Sequence, residues 1–308
     1  MSRIALLGPQ RLQPFVGEVA RELEPHGSGA AITAGWQEHE DAVVELHEHL
    51  DRHTYNLDLY KRTEEVLRHD SSFADAYRER QNELRELQAY YRLRLDAAIE
   101  GVTALERRAE RGPRWEEAHT DAMRALRTLD LEHATRIVEG NARFEEHHRP
   151  LEHGHIRKHH RQLRKMIDDA AFVAIAGGHV AVLLNRMRLF GLAELLAGKT
   201  IIAWSAGAMA ISETIVLFHD NPPQGAGNAE ILENGLGLAR GVLLLPHAKR
   251  RLDLASQERI ARLTTRFSPL RCIPMDEGDR IDLENGVILT NRPHRELTTA
   301  GAVETAGV

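Results

Sequence analysis

The chain has one cysteine, Cys272, in 308 residues. A lone thiol makes no internal disulfide and gives no framework for a structural metal. No apolar run approaches the roughly 18 residues that a membrane span needs. The apolar stretch within residues 1–8 is too short for the core of a signal peptide. Cationic excess is missing as well: 40 Lys and Arg against 46 Asp and Glu give a net charge of −6, with no global electrostatic reason to expect nucleic acid. Together these absences point to a soluble, cytoplasmic protein with neither a membrane nor a nucleic acid as partner. With 42% hydrophobic and 28% charged residues, the chain has the composition of a folded protein, long enough for two domains or for one with a large insertion.

Residues 36–100 contain neither glycine nor proline, whereas 14 of the 23 glycines follow residue 165. A long helical middle is thereby set apart from a turn-rich C-terminal part. Before it, the run 4–7 reads as a strand closed by Gly8-Pro9. Phe15, Val19 and Leu23 mark a helix ended by Pro25 and Gly27, and 30–34 is a second strand stopped at Gly35. From Trp36 to about Lys165 no strand is expected. Leu84, Leu87, Tyr91, Leu95, Ala98, Val102 and Leu105 form a seam that predicts a helix over 72–111. Gly112-Pro113 breaks it, with proline suited to the next helix's first turn. Trp115, Ala118, Ala122, Leu126, Leu129, His133 and Ile137 give a second seam. Two such helices make an antiparallel hairpin that packs on itself or joins a homo-oligomer, and it serves as scaffold, dimer element or lid.

The last segment alternates. A strand over 172–176 ends in Gly177-Gly178 and leads to a helix through Leu183, Leu184, Met187 and Leu192. A strand over 200–204 meets Ser205, and a third over 242–245 precedes a helix near 256–267. Short strands over 272–275, 280–283 and 287–290 close the chain, the last two a hairpin around Glu284-Asn285-Gly286. The expected fold is α/β, a mostly parallel sheet flanked by helices, with a long all-helical insertion. The α/β domain comprises 1–36 and 166–308, and the insertion 37–165. Ligands of such sheets sit at the carboxyl ends of strands, where Gly177-Gly178, Ser205 and His247 fall.

Ala203-Trp204-Ser205-Ala206-Gly207 is the most informative stretch. An apolar strand runs straight into a serine and small residues open a helix, the pattern of a nucleophile elbow with its first glycine relaxed to alanine. Small neighbours suit the crowded reversal, which also leaves the hydroxyl beside free backbone N–H groups. A serine needs a base. His247, after the apolar run and Pro246, is the candidate; Asp220 lies between the two in sequence, an order shared with α/β hydrolases. Glu213 and Glu230 are rival acids and His219 a rival base.

Ala176-Gly177-Gly178-His179, the serine elbow, Leu245-Pro246-His247 and Met275-Asp276-Glu277-Gly278 resemble, in order and spacing, the peptidase E and cyanophycinase family of serine peptidases. The similarity covers about residues 1–36 and 166–300. It implies the class I glutamine amidotransferase-like fold, Ser205 as nucleophile, His247 as base and Asp220, fifteen residues after the serine, as third member. It also implies an oxyanion hole from the N–H groups of Ala206 and of Gly177 or Gly178, with His179, Trp204 and Glu277 near the substrate. No cofactor or metal is required. The chain departs from the family at His179, where asparagine is usual, at Ala203 in place of glycine, and at Ser256, where peptidase E has the arginine that reads aspartate.

Other signals carry less. His147, His148, His153, His155, His159 and His160 crowd one stretch, and Glu116/His119, Glu145/His148 and Glu152/His155 have the Glu-x-x-His spacing of metal bundles. Three pairs are close to chance for so many histidines, and Pro150 and Gly154 interrupt the helix that would present them. The basic patch Arg157 to Lys165 lacks interleaved aromatics. Cys272 reads as a buried structural cysteine. The pairs Gly225/Gly227 and Gly235/Gly237 read as turns, and Glu277 as structural support. The expected function is therefore a serine hydrolase of a peptide or related amide bond. The alternative is a non-catalytic ligand-binding or assembly protein that works through the hairpin.

Overall fold

A computed structural model describes residues 2–24, 26–50, 54–220 and 227–307. The expected stop at Pro25 and the turn begun at Gly225 lie outside the described residues. In chain order the elements before the hairpin are β1 (Arg3–Leu7), α1 (Val16–Leu23), β2 (Gly29–Ile32), α2 (Val44–Leu50), β3 (Thr54–Asn56) and α3 (Leu59–His69). The hairpin is α4 (Ser71–Glu106) and α5 (Pro113–His148), followed by α6 (Gly154–Asp169). Then come β4 (Phe172–Ile175), α7 (Val180–Leu189), α8 (Leu192–Leu196), β5 (Thr200–Trp204), α9 (Ala206–Ile211), β6 (Thr214–Leu217) and β7 (Glu230–Asn234). The chain closes with β8 (Val242–Pro246), α10 (Ala248–Arg251), α11 (Gln257–Phe267), β9 (Arg271–Met275), β10 (Arg280–Glu284), β11 (Val287–Ile288), β12 (His294–Leu297) and β13 (Val303–Ala306).

Seven strands form the main sheet in the order β11-β10-β1-β5-β4-β2-β3. The five from β1 to β3 are parallel, and β10 and β11 add antiparallel edges. Side chains alternate between two apolar layers, as a strand's period of two requires. Ile4 and Leu6 of β1, with Ile201 and Ala203 of β5, face the larger core, while Ala5, Leu7, Ile202 and Trp204 face a second cluster shared with α1 and α2. Burial on both faces is why these strands read as unbroken apolar runs. The Asn285-Gly286 turn joins β10 to β11 with both residues at positive φ, 52° and 82°, as a two-residue hairpin loop demands. A smaller sheet, ordered β13-β12-β9-β8, carries β8 parallel to β9.

The stretch 37–165 is not all helical: β3 lies inside it and pairs parallel to β2 at the sheet edge. Its three residues, Thr-Tyr-Asn, offer no apolar run, and an edge strand needs none. The hairpin follows expectation, with Gly112 capping α5 and Pro113 in its first turn. It is antiparallel, registered by Arg80 on Asn141 and Tyr91 on Asp130. It rests on its own α/β half: Gln88 donates to the Ile231 carbonyl of β7, and Arg262 of α11 binds Glu106 at 2.5 Å.

Candidate active site

Strand register assembles the site before any side chain is considered. Leu7 of β1 is level with Trp204 of β5, and Ile175 of β4 with Ala203. The next residues along, Gly8, Ser205 and the Gly177-Gly178 turn, therefore emerge side by side at the carboxyl edge of the sheet. Ser205 occupies φ 51°, ψ −122°, a conformation that costs a side-chain-bearing residue of the order of 1–3 kcal/mol. Its N–H bonds the Leu7 carbonyl at 3.2 Å, fastening the elbow to the neighbouring strand. Gly207 is required by contact, since a Cβ there would meet the Ile175 carbonyl oxygen at 2.3 Å. Gly177 lies against the serine, its absent Cβ being 3.1 Å from the Ser205 Cβ and 3.5 Å from the Ala206 nitrogen. Gly178 has φ 118° and presses on the Gly35 backbone. Among the described residues, nothing accepts the N–H of Ala206, Gly177 or Gly178, so the elbow and the glycine turn both have donors free for an oxyanion.

His247 arrives from the smaller sheet. Pro246 of β8 is level with Met275 of β9, and the His247 N–H bonds the Met275 carbonyl at 2.7 Å. With φ 59° the residue turns back toward the elbow, placing Nε2 3.3 Å from Ser205 Oγ. Burial lowers the imidazole's pKa, helped by Arg251, while Glu277 and Asp276 act in the opposite direction. A base held neutral in this way can take a proton at neutral pH.

Ser205 and His247 are thus brought together, whereas the structure does not join Asp220 to the histidine. Its carboxylate accepts from Arg259 at 2.6 Å and from the Asp253 N–H at 2.7 Å, on the far side of α10. Chain order misled here because the segment after β6 turns toward α11 instead of the sheet edge. The acids acting on His247 are those that follow β9. Asp276, 4% exposed, accepts from the Lys249 N–H at 3.0 Å and from Arg295 at 2.7 Å, and Glu277 is exposed beside it. The rivals are occupied elsewhere: Glu213 binds the Gly241 N–H, and Glu230 binds Arg92 and Gln88. His219 has its pKa lowered by burial and then by Arg251.

His179 is exposed and caps α7, its Nδ1 accepting from the Val182 N–H, the task an asparagine performs at such a position. Cys272 is buried and its thiol pushed up to about 12, chiefly by burial, so it is no nucleophile. Among the described residues no group of three His, Cys, Asp or Glu could hold a metal. The crowded histidines have other partners, His153 with Asp70 and His160 with the Phe190 carbonyl.

A cavity of about 430 Å³ opens beside Ser205 and His247. Trp204 lines it, as do Trp36, Arg11, Glu45 and Leu46, which belong to no motif of the sequence. The position of Trp36 just beyond β2 was the available clue. Glu40 anchors that turn: its buried carboxylate accepts from the N–H groups of Tyr60 and Lys61 at 2.9 Å, and burial raises its pKa. No described residue of the long hairpin lines the cavity.

An elbow serine paired with an imidazole at a sheet edge defines a serine-hydrolase class of site. The family model for peptidase family S51 matches residues 132–290, just over half of the chain. The chain belongs to peptidase family S51 and is a serine-type peptidase. No curated protein sequence matches it. Similar solved structures include a peptidase from an acI-B1 Actinobacterium, 12% identical with a TM-score of 0.48, covering 99% of this chain and 93% of that one. A peptidase E protein from Listeria monocytogenes EGD-e is 14% identical with a TM-score of 0.43, covering 94% of this chain and 97% of that one. No helix is long and apolar enough to cross a membrane among the described residues.

Proposed function

We propose that the protein hydrolyses a peptide or related amide bond with Ser205 as nucleophile and His247 as general base. The observation that carries this reading is the 3.3 Å approach of Ser205 Oγ to His247 Nε2 at a strained strand-to-helix turn. Oγ attacks the carbonyl carbon as its proton passes to Nε2. The oxyanion accepts hydrogen bonds from the N–H groups of Ala206 and of Gly177 or Gly178, aided by the amino end of the helix behind Ser205. Collapse expels the amine, which takes the proton from His247, and water releases the acyl group by the reverse sequence. Asp276 and Glu277 replace Asp220 as the acids that favour the imidazolium, Asp276 from a fixed position and Glu277 from the surface.

Labelling with a small alkyl fluorophosphonate, read by mass spectrometry, tests this directly. The wild type should carry the adduct on Ser205, and Ser205→Ala should carry none while melting as a folded protein. His247→Ala should slow labelling by about 10³-fold or more. Asp220→Asn should label at close to the wild-type rate, and Asp276→Asn more slowly. Labelling that survives Ser205→Ala overturns the assignment.

A further inference from the structure

Resting on that reading, we infer that the cavity beside Ser205 selects a bulky apolar side chain on the acyl residue of a short peptide. Val16 of α1, Leu46 of α2, Trp36 and Trp204 make its walls, and they belong to the apolar layer that packs beneath the sheet. Three of the four are nearly closed to solvent: Val16 is 1% exposed, Leu46 5% and Trp204 7%. Gln10 brings an amide to this wall, but its Nε2 donates to the Gly8 carbonyl and its Oε1 accepts from the Phe15 N–H. It is a satisfied wall group with no polar atom to spare for a substrate. Besides the catalytic His247, the ionisable groups that line it are Arg11 and Glu45, both exposed at the rim, and part-buried His49, whose Nε2 lies 3.8 Å from Glu45.

A carboxylate side chain in this space would be stripped of water against apolar walls, and among the described lining residues the only Lys or Arg is the exposed Arg11 at the rim, so its burial is costly. An aromatic or branched aliphatic side chain loses only water-exposed apolar surface there, which is favourable. The two rim charges of opposite sign suit the termini of a short peptide, and about 430 Å³ accommodates one large side chain with its backbone.

Rates of Ser205 modification by two aminoalkyl diphenylphosphonates, one with a benzyl and one with a carboxymethyl side chain, decide the matter without a known substrate. The small fluorophosphonate serves as the reference. The wild type should react with the benzyl compound at least about tenfold faster than with the carboxymethyl compound. Trp36→Ala should erase most of that ratio, each rate being taken relative to the same variant's fluorophosphonate rate. Equal rates, or a faster carboxymethyl reaction, overturn the selectivity with the serine mechanism intact. Failure of the fluorophosphonate itself overturns the serine mechanism and this inference with it. The wild-type ratio stands even if Trp36→Ala melts early.

Discussion

The sheet edge and the helical hairpin of this protein are held in place by opposite means. At the edge, backbone geometry does the positioning: Ser205 and His247 both adopt positive φ, and Gly177, Gly178 and Gly207 sit where a Cβ would collide or strain the chain. In the hairpin, buried polar side chains do it. Asp130 accepts two hydrogen bonds from Arg266 at 2.7 Å and one from Tyr91 at 2.8 Å, all within a buried interface. Arg266 also donates to the Ala229 carbonyl. Tyr91 stacks on His133 with ring centres 3.9 Å apart, and His133 meets Gln88. Backbone constraint fixes a hydroxyl to a fraction of an ångström where a reaction needs it. A polar network fixes the register of two helices, for which coarser precision is enough. Damage to the two regions should therefore separate activity from stability.

The largest stability effect belongs to the hairpin. Asp130→Ala leaves Arg266 buried without its counter-charge, a loss of about 3–5 kcal/mol. Urea unfolding should show it, while the folded fraction keeps the wild-type rate of Ser205 labelling. Asp130→Leu with Arg266→Met should recover part of the loss, because a matched apolar pair avoids the desolvation of both charges. If the single variant labels slowly while fully folded, the hairpin is coupled to the site and the contrast fails.

Gly207→Ala reverses the pattern. Its new Cβ would lie 2.3 Å from the Ile175 carbonyl and 2.7 Å from that of Ala176, so α9 must move away from β4. A cost of about 1–3 kcal/mol is expected, together with a loss of about 10²-fold in labelling rate, since a displaced elbow misplaces Oγ. Thermal melting and labelling on one sample compare the two numbers. A large stability loss with normal labelling would show that the elbow tolerates displacement.

Strain at the nucleophile supports a gain. Ser205→Gly removes the side chain that makes φ 51°, ψ −122° costly, so the variant should be inactive yet more stable than Ser205→Ala by about 1 kcal/mol. Equal melting of the two variants would place the strain elsewhere.

How much of this was legible follows from the same contrast. Apolar strands buried on both faces read plainly, and so did the helical seams and the Gly112-Pro113 break. The elbow could be read because its chemistry and its steric needs lie in five consecutive residues. Strand β3 could not, nor β6, β7, β12 and β13, because short half-exposed strands have no pattern of their own. Asp220 was misplaced for a related reason. Its position beside Arg259 depends on how the chain turns after β6, whereas His247 and Asp276 become neighbours through pairing of β8 with β9. The cavity wall was hidden most thoroughly, since Val16, Trp36, Leu46 and Trp204 come from four separate elements.

The smallest expected effect compares one histidine from each region. Burial is the first cause that lowers the pKa of both His133 in the hairpin and His247 at the edge. A group whose folded pKa lies below its unfolded value, about 6.5 for imidazole, stabilises the fold above that value and loses the contribution as pH falls through the interval below it. Melting temperature should therefore decline modestly between pH 7 and 5.5, before the raised pKa values of Glu40 and Asp58 begin to act in the opposite direction. His133→Gln should flatten that decline without touching the labelling profile. The acid limb of Ser205 labelling should fall below pH 6.5, and it should follow His247 alone, shifting further down in Asp276→Asn because a charge that favours the imidazolium is gone. A limb that stays in place in Asp276→Asn would mean that Glu277 alone holds the base's charge, and would move the acid of the site from the buried carboxylate to the exposed one.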